Sequence, residues 1–542
     1  MRTDWCAILA VVVAAVAVRA NHYHPELKFN NKATPNNAAE QTPDYWRNEA
    51  KEGIEKRLRR LQNNNIARNV IMFLGDGLSV PTLAAARILK GQRANRTGEE
   101  TEMFFESFPT VGLSKTYCLD AQIADSACTA TAYLTGVKNN YGTTGVTGAV
   151  KRYDCEASTD PSTHLDSIAA WALAEGKDAG IVTTTRITHA SPSGAYARIA
   201  DRDWENDGKV IDKKFDPKVC PDIAYQLIHT EPGKQFKVIL GGGRREFLPE
   251  NFTDEEGSNG LRRDNRNLIE EWAADKAAQN VIHRYVWNRS QLMSLRDNPP
   301  EYILGLFESS HMHYHMERNR QTEPTLAELT EVAINSLRRN EKGFFLFVES
   351  GRIDHAHHDN YVQLSLDETL EFDIAIKKAV EMLGEEDTLM VVTADHSHVM
   401  AFNGYSVRGH DILGAAEEYG HDNIPFQTIS YTNGPGYRKP VNNTRVDVTT
   451  EENYKDLRWM THAEVYRDDE THAGDDVAVF ATGPYHHLFT GLYEQSQIPM
   501  IMAYAACIGP GLHACSSAVL NHPLSLPIYI IIFLYIVPRY ML

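Results

Sequence analysis

Gly343–His358 reads GFFLFVESGRIDHAHH. Phe344–Val348 is a continuous apolar run of the kind that forms a strand buried on both faces, and it stops at Glu349. Asp354, His355, His357 and His358 then arrive within five residues. Hard and borderline metal ligands are thus gathered just beyond a strand's carboxyl end. Asp354 and His358, at i and i+4, can share one helical face, as a single metal requires. Taken alone, such a cluster is equally well read as ordinary surface histidines, so the rest of the chain decides.

The pattern recurs. Val70–Leu74 (VIMFL) ends in Gly75-Asp76-Gly77, Ile181–Thr185 leads into Arg186, His189 and Ser191, and Leu389–Thr393 leads into Asp395-His396. Four apolar runs, each followed by ligand-type residues, predict an α/β fold: a large, mostly parallel central sheet flanked by helices on both faces, with the site outside the strand carboxyl ends. Val238–Leu240 and Val477–Phe480 extend the sheet, and helices over His164–Glu175 and Asp367–Leu383 supply crossovers. Gly241-Gly242-Gly243 is followed by no Lys-Ser/Thr, which makes it a tight turn rather than a phosphate loop. Residues 43–63 form an amphipathic N-terminal helix, with Tyr45, Trp46, Ile54 and Leu58 to one side, packed on the domain or on a second subunit. From about 404 to 470, glycines, prolines and charges surround one alternating strand, Phe426–Tyr431, as in an inserted small subdomain.

The chain has 542 residues, 42% hydrophobic and 23% charged, enough for a sizeable core. Its formal charge of −18 argues against a nucleic acid partner. Ala7–Val18 is an apolar run closed by Val18-Arg19-Ala20, so residues 1–20 read as a secretory signal peptide that takes Cys6 with it. Leu524–Val537 is apolar but, as a helix, spans only about 21 Å. That falls short of a hydrocarbon core about 30 Å thick. Small residues, Ala514–Ala518, precede it after a short spacer, the order of a GPI-anchor signal. Residues 21–515 are then the mature domain, 516–542 the removed signal and Ser516 a candidate attachment residue. Sequons at Asn95, Asn251, Asn288 and Asn442 suit the same route. Six remaining cysteines allow 15 pairings. Cys507–Cys515, Cys155–Cys220 and Cys118–Cys128 are the expected set.

A nucleophile is found in Asp120–Leu134 (DAQIADSACTATAYL), where Ser126 opens an alanine-rich helix. Free N–H groups there favour a phosphate, although a serine in this place is also an ordinary helix cap. LGDG around Asp76, DSACTATAY around Ser126, TTTRITHASP, FVESGRIDHAHH, VTADHSH around Asp395 and THAGDD around His472 together resemble the motifs of animal-type alkaline phosphatases, from about Trp46 to Cys515. The resemblance implies that family's fold, with residues 404–470 as its crown-type subdomain. It also implies hydrolysis of phosphate monoesters to an alcohol and inorganic phosphate at alkaline pH, through a phosphoserine at Ser126, with Arg202 clamping the phosphate. Two zinc ions are implied, one on Asp354, His358 and His472 and the other on Asp76, Asp395 and His396. A magnesium ion on Asp76, Ser191 and Glu349 follows, with His189 and His355 in outer-sphere positions. A calcium ion is implied at Phe307, Glu308 and Glu323, with Glu250 as a candidate fourth ligand. A GPI-linked homodimer on the outer face of the plasma membrane is implied as well, with Tyr405 near the interface.

Asp475 and Ser350 depart from the usual motif residues, Glu and Gly, without touching an implied ligand. Sulfatases are disfavoured by the missing C-x-P-x-R motif, and nucleotide pyrophosphatase/phosphodiesterases by a serine at 126 together with Arg202, Ser191 and Glu349. A catalytically dead surface receptor is disfavoured because every implied ligand is present. His311, His313 and His315 alternate and are expected on one face of a strand, and His357 has no implied role.

Overall fold

The computed structural model describes residues 38–514. The signal peptide, Cys515, Ser516 and the C-terminal apolar segment lie outside the described residues. Ten strands form the central sheet: β1 (Asn69–Gly75), β2 (Thr110–Lys115), β3 (Asp178–Arg186), β4 (Val238–Gly242), β5 (His283–Val286), β6 (Tyr302–Leu306), β7 (Phe344–Ser350), β8 (Thr388–Ala394), β9 (Val477–Thr482) and β10 (Gly491–Glu494). Their order is β10-β2-β9-β8-β1-β7-β3-β4-β6-β5. Every pairing is parallel except those of β9, which runs antiparallel to both β8 and β2. The sheet is therefore mostly parallel, as the four apolar runs predict.

Alternation inside the apolar runs explains why they look continuous. Along β1, Val70, Met72 and Leu74 pack into one hydrophobic cluster while Ile71 and Phe73 pack into another on the opposite face. After α1 (Pro43–Leu58), which stands off the sheet, helices cover both faces: α2 (Val80–Arg93), α3 (Ser126–Thr135), α4 (Leu326–Leu337), α5 (Arg352–His358), α6 (Val362–Leu383) and α7 (Gln497–Ala506). Side chains of α3 and α7 fill the first cluster, and those of α2, α4 and α6 the second. Each large side chain so buried contributes about 2 kcal/mol.

Some expectations shift. Val477–Phe480 does extend the sheet, but reversed, because the chain enters β9 from His472–Ala473, which pairs with Ser397–His398 just beyond the carboxyl end of β8, with no crossover helix to carry it to the other end. β2, β5 and β10 lie at or beside a sheet edge, where burial is partial and no apolar run is needed, and β6 is five residues with a glycine inside. The helix expected over His164–Glu175 spans only Ile168–Ala174, because the Ser167 side chain caps it by accepting the Ala170 N–H. The one expected from Asp367 begins earlier, at Val362: Asp367, Glu368, Glu371 and Asp373 are all buried, so its polar pattern misleads. Phe426–Tyr431 is split at Thr428. Pro425–Gln427 pairs with Ala415–Tyr419, and Ile429–Gly434 joins Met400–Phe402 and Ala463–Tyr466 in a small separate sheet. The N-terminal helix ends at Leu58, and none of its residues is buried.

Cys118–Cys128 and Cys155–Cys220 are disulfides, and Cys507 is also bonded, with Cys515 beyond the described residues. Gly243 makes the expected tight turn at φ +93°, where an added Cβ would press on the Arg186 side chain. Asn95, Asn251 and Asn442 are exposed, whereas Asn288 is half-buried and its side-chain oxygen caps a short helix.

Candidate active site

The carboxyl ends of β1, β3, β7 and β8 converge. β1 delivers Asp76, β7 delivers Glu349 and the turn into α5, and β8 delivers Asp395 and His396. His472 comes from the two-residue strand His472–Ala473, which pairs antiparallel with Ser397–His398. Residues far apart in sequence thus meet because neighbouring parallel strands end at the same level.

His358 and His472 are both oriented by their Nδ1 atoms, which donate to the Glu470 carbonyl at 2.5 Å and the Ala124 carbonyl at 2.7 Å. A carbonyl only accepts, so in the neutral imidazole each Nε2 carries the lone pair. Those two Nε2 atoms lie 3.1 Å apart, and Asp354 Oδ1 lies 3.4 and 3.3 Å from them. Two lone pairs and a carboxylate oxygen facing one another repel unless a cation joins them. The spacing matches the edge of a tetrahedron with zinc–ligand bonds of about 2.0–2.1 Å, roughly 3.3 Å. These three residues therefore fit a zinc ion.

A second group adjoins it. His396 Nε2 lies 3.1 Å from Asp395 Oδ2, 3.6 Å from Asp76 Oδ1 and 3.2 Å from Ser126 Oγ. All four residues are buried, and neither Asp76 oxygen accepts a hydrogen bond. Glu349 faces the same space: its Oε2 is held by Thr183 and by Thr185 at 3.1 Å, while its Oε1 has no partner. Ser191, also fully buried, stands beside it. Burial, reinforced by Asp395, Asp354 and Glu349, pushes the Asp76 carboxyl well above its ordinary range, and burial holds Glu349 near 7. Such a concentration of buried carboxylates needs positive charge, so the donors fit divalent cations here as well.

Ser126 is not the helix cap. Asp125 takes that part, accepting the N–H groups of Ala127 and Cys128, each at 3.3 Å, so Ser126 Oγ points at His396 instead. Asp125 also accepts from Arg202 Nη1 at 3.1 Å, while Arg202 Nη2 reaches His189 Nε2 at 3.2 Å. That guanidinium is oriented beside the nucleophile. His355 lies near His189, with ring centroids 5.3 Å apart, and accepts from Arg352 Nη1 at 3.0 Å. A cavity of about 370 Å³, lined by Tyr314, Arg352, His355, His358, Asp359, Arg458 and Asp469, opens over this region. A larger cavity, about 600 Å³, lies around Asp178, Lys237 and Arg339 at the opposite strand ends and holds none of these residues.

His398 has no role implied by the sequence motifs. It is buried and donates from Nε2 to Asp354 Oδ1 at 2.8 Å and from Nδ1 to Glu470 Oε2 at 2.5 Å. Against burial, Glu470 and Asp354 raise its pKa to about 10, so it is an imidazolium that pins the Asp354 carboxylate. The signal was present in His396-Ser397-His398, two imidazoles on one side of an extended segment. Gly77, at φ +69°, leaves it room: a Cβ there would come within 2.4 Å of His398 Nε2. His357 takes no part in the site and bridges Thr82 Oγ1 and the Tyr431 hydroxyl at 3.0 and 2.8 Å.

The three alternating histidines part company, because their segment is a loop rather than a strand. His311 contacts Arg186, His313 lies between Glu308 and Glu323, and His315 pairs with Asp367 and Glu371. Glu250, expected with Phe307, Glu308 and Glu323, instead pairs with Arg263 at 3.2 Å, since the intervening loop carries it outward.

A family model described as alkaline phosphatase matches residues 67–508. The chain is 59% identical to the membrane-bound alkaline phosphatase of Bombyx mori over 508 residues, 92% of each chain. It is 47% identical to the tissue-nonspecific alkaline phosphatase isozyme of Homo sapiens over 486 residues, 88% of this chain and 91% of that one. The fold matches the solved alkaline phosphatases of the Antarctic bacterium TAB5 (TM-score 0.56, 20% identity, covering 82% of this chain and 99% of that one) and of Thermus thermophilus (0.58, 20%, 84% and 96%). With its motifs in order over most of its length and its ligand-type residues gathered at the strand ends, the chain belongs to the alkaline phosphatase family and is an enzyme of that family.

Proposed function

We propose that this enzyme hydrolyses phosphate monoesters through a phosphoserine at Ser126. The observation that carries the reading is the buried Ser126 hydroxyl at the start of α3, freed from capping by Asp125 and 3.2 Å from His396. Asp354, His358 and His472 would hold one zinc, Asp76, Asp395 and His396 a second, and Asp76, Ser191 and Glu349 a magnesium. Bound there, these ions neutralise the carboxylates, lower the pKa of a hydroxyl or water, and offset charge on the leaving oxygen.

Ser126 Oγ gives up its proton and forms a bond to phosphorus as the ester P–O bond breaks, and the alcohol departs with a proton. Water then attacks the phosphoserine from the opposite side, releasing phosphate and restoring the hydroxyl. Arg202 holds two phosphate oxygens with its planar guanidinium, positioned by Asp125 and His189. The N-terminal N–H groups of α3 favour the same anion. The tight clamp on phosphate, with an open cavity beyond it, suits many alcohols.

Ser126→Ala, compared with wild type at equal zinc content, tests the mechanism: loss of monoester hydrolysis together with loss of acid-trapped phosphoserine is expected, and full activity would refute it. A preference for diesters over monoesters would equally refute the substrate class. Among the described residues no helix is long and apolar enough to cross a membrane. The order of small residues, spacer and apolar tail supports a GPI anchor on the outer cell surface, and the Bombyx relative is named membrane-bound. Trp46, Ile54 and Leu58 on the uncovered α1, with Tyr405 exposed in the crown-type segment, support a homodimer.

A further inference from the structure

Arg352 opens α5 and lines the cavity of about 370 Å³ together with His355 and His358. Its guanidinium lies over the Tyr314 ring, 4.0 Å from the centroid, and its Nη1 donates to His355 Nδ1 at 3.0 Å. The stack sets the plane of the group and the hydrogen bond its direction. Its Nε is buried and has no partner. Its charge is also left without a counterion. The other arginine of the cavity, Arg458, meets both Glu317 oxygens, at 2.5 and 2.6 Å. Arg352 makes no such pair among the described residues, with no carboxylate oxygen inside 4.0 Å. Asp359 and Asp469 line the same cavity farther off.

This cavity lies where a leaving group goes. In-line displacement at phosphorus sends the departing oxygen away from the attacking Ser126 Oγ. From Ser126 the site runs through His396, whose Nε2 is 3.2 Å away, to the His472 ring stacked on it at 3.5 Å, and on to His358, 3.1 Å between Nε2 atoms. At His358 the cavity begins. The body of the departing alcohol is thereby brought beside Arg352.

Resting on the monoester reading above, we propose that Arg352, held by Tyr314 and His355, is a specificity residue that binds an anionic group on the leaving alcohol, a carboxylate or a second phosphate. A guanidinium fixed in plane and lacking a carboxylate partner suits such an anion, which it can meet with two parallel N–H groups. A neutral leaving group gains nothing from it.

The test compares wild type, Arg352→Gln and Arg352→Lys, at equal zinc content and low ionic strength, on aryl phosphates that differ only in the para group: phenyl phosphate, 4-carboxyphenyl phosphate, benzene-1,4-diyl bisphosphate and 4-(trimethylammonio)phenyl phosphate. Taking the ratio of wild-type to variant kcat/KM for each substrate cancels its intrinsic reactivity. The loss in Arg352→Gln should be about 10–100-fold greater on the carboxylate and the bisphosphate than on phenyl phosphate, as expected for a hydrogen bond between charged groups. Arg352→Lys should recover part of it, and the trimethylammonium substrate should lose least. A response to only one of the two anionic substrates would support the proposal for that anion alone. An equal loss on all four substrates would overturn it, because Arg352 would then act only by holding His355. No hydrolysis of phenyl phosphate by the wild type would instead refute the monoester reading, and this proposal with it.

Discussion

Glu368, on α6, is fully buried, and its carboxylate accepts the His315 backbone N–H at 2.5 Å. Burial, helped by neighbouring Asp367 and only partly offset by that hydrogen bond and Arg352, raises its pKa from an ordinary 4.5 to about 7. Below pH 4.5 both folded and unfolded chains hold the proton, and the group costs nothing. Between 4.5 and 7 the unfolded chain releases its proton first, so stability falls as pH rises. Above 7 the loss is complete and constant, at about 3 kcal/mol for this displacement. At alkaline pH the folded chain carries the whole of it. Glu368→Gln keeps a carbonyl for the His315 N–H and removes the titration. The difference in unfolding free energy between variant and wild type should therefore grow in the variant's favour by about 2–3 kcal/mol from pH 5 to pH 9. Urea titrations at fixed buffered zinc would measure it, and any pH-independent effect of the substitution cancels. A difference that stays flat or shrinks with rising pH would show that Glu368 is not held protonated by burial.

Other substitutions address the site. His398→Gln removes the imidazolium that pins Asp354 and is expected to weaken zinc retention by about 10–100-fold, read by chelator competition. Gly77→Ala drives a Cβ against His398 and should mimic that zinc loss, with a lower thermal midpoint besides. If Gly77→Ala retained zinc as wild type does, the tight approach would be irrelevant. Asp125→Ala removes the α3 cap and the carboxylate beside Arg202, with an expected loss of about 1–2 kcal/mol in urea unfolding and a raised KM. Replacing both Cys118 and Cys128 by serine opens the covalent ring that contains Ser126, for a loss of about 2–4 kcal/mol measured the same way.

The parts of this fold that show in the sequence are those whose environment is uniform. β1, β3, β7 and β8 are covered on both faces, so each reads as an unbroken apolar run, and the ligands stand where the runs stop. What is hidden depends on tertiary context. β9 lies antiparallel, yet a buried strand looks the same in either direction. The start of α6 is masked by four buried acidic residues, two of them paired with basic side chains of α2, Arg93 on Asp367 and Lys90 on Asp373. His398 and Glu470 form a hydrogen-bonded pair separated by many residues, and neither looks unusual alone. The alternation of His311, His313 and His315 suggests a strand only if the backbone is extended and paired, which it is not.

The sheet order also bears on how the protein is made. β1, the first strand to leave the ribosome, sits between β7 and β8, and the strand carrying His472 pairs with Ser397–His398. The chain must be made as far as Ala394 of its 542 residues before the central pairing can close. Contacts so distant in sequence fold slowly and leave apolar strands uncovered meanwhile. Until then Asp76, Asp354 and His472 belong to unconnected segments, and a nascent chain halted before residue 472 lacks one member of the Asp354, His358 and His472 group. Assembly of that group is thereby a late event in the making of the chain.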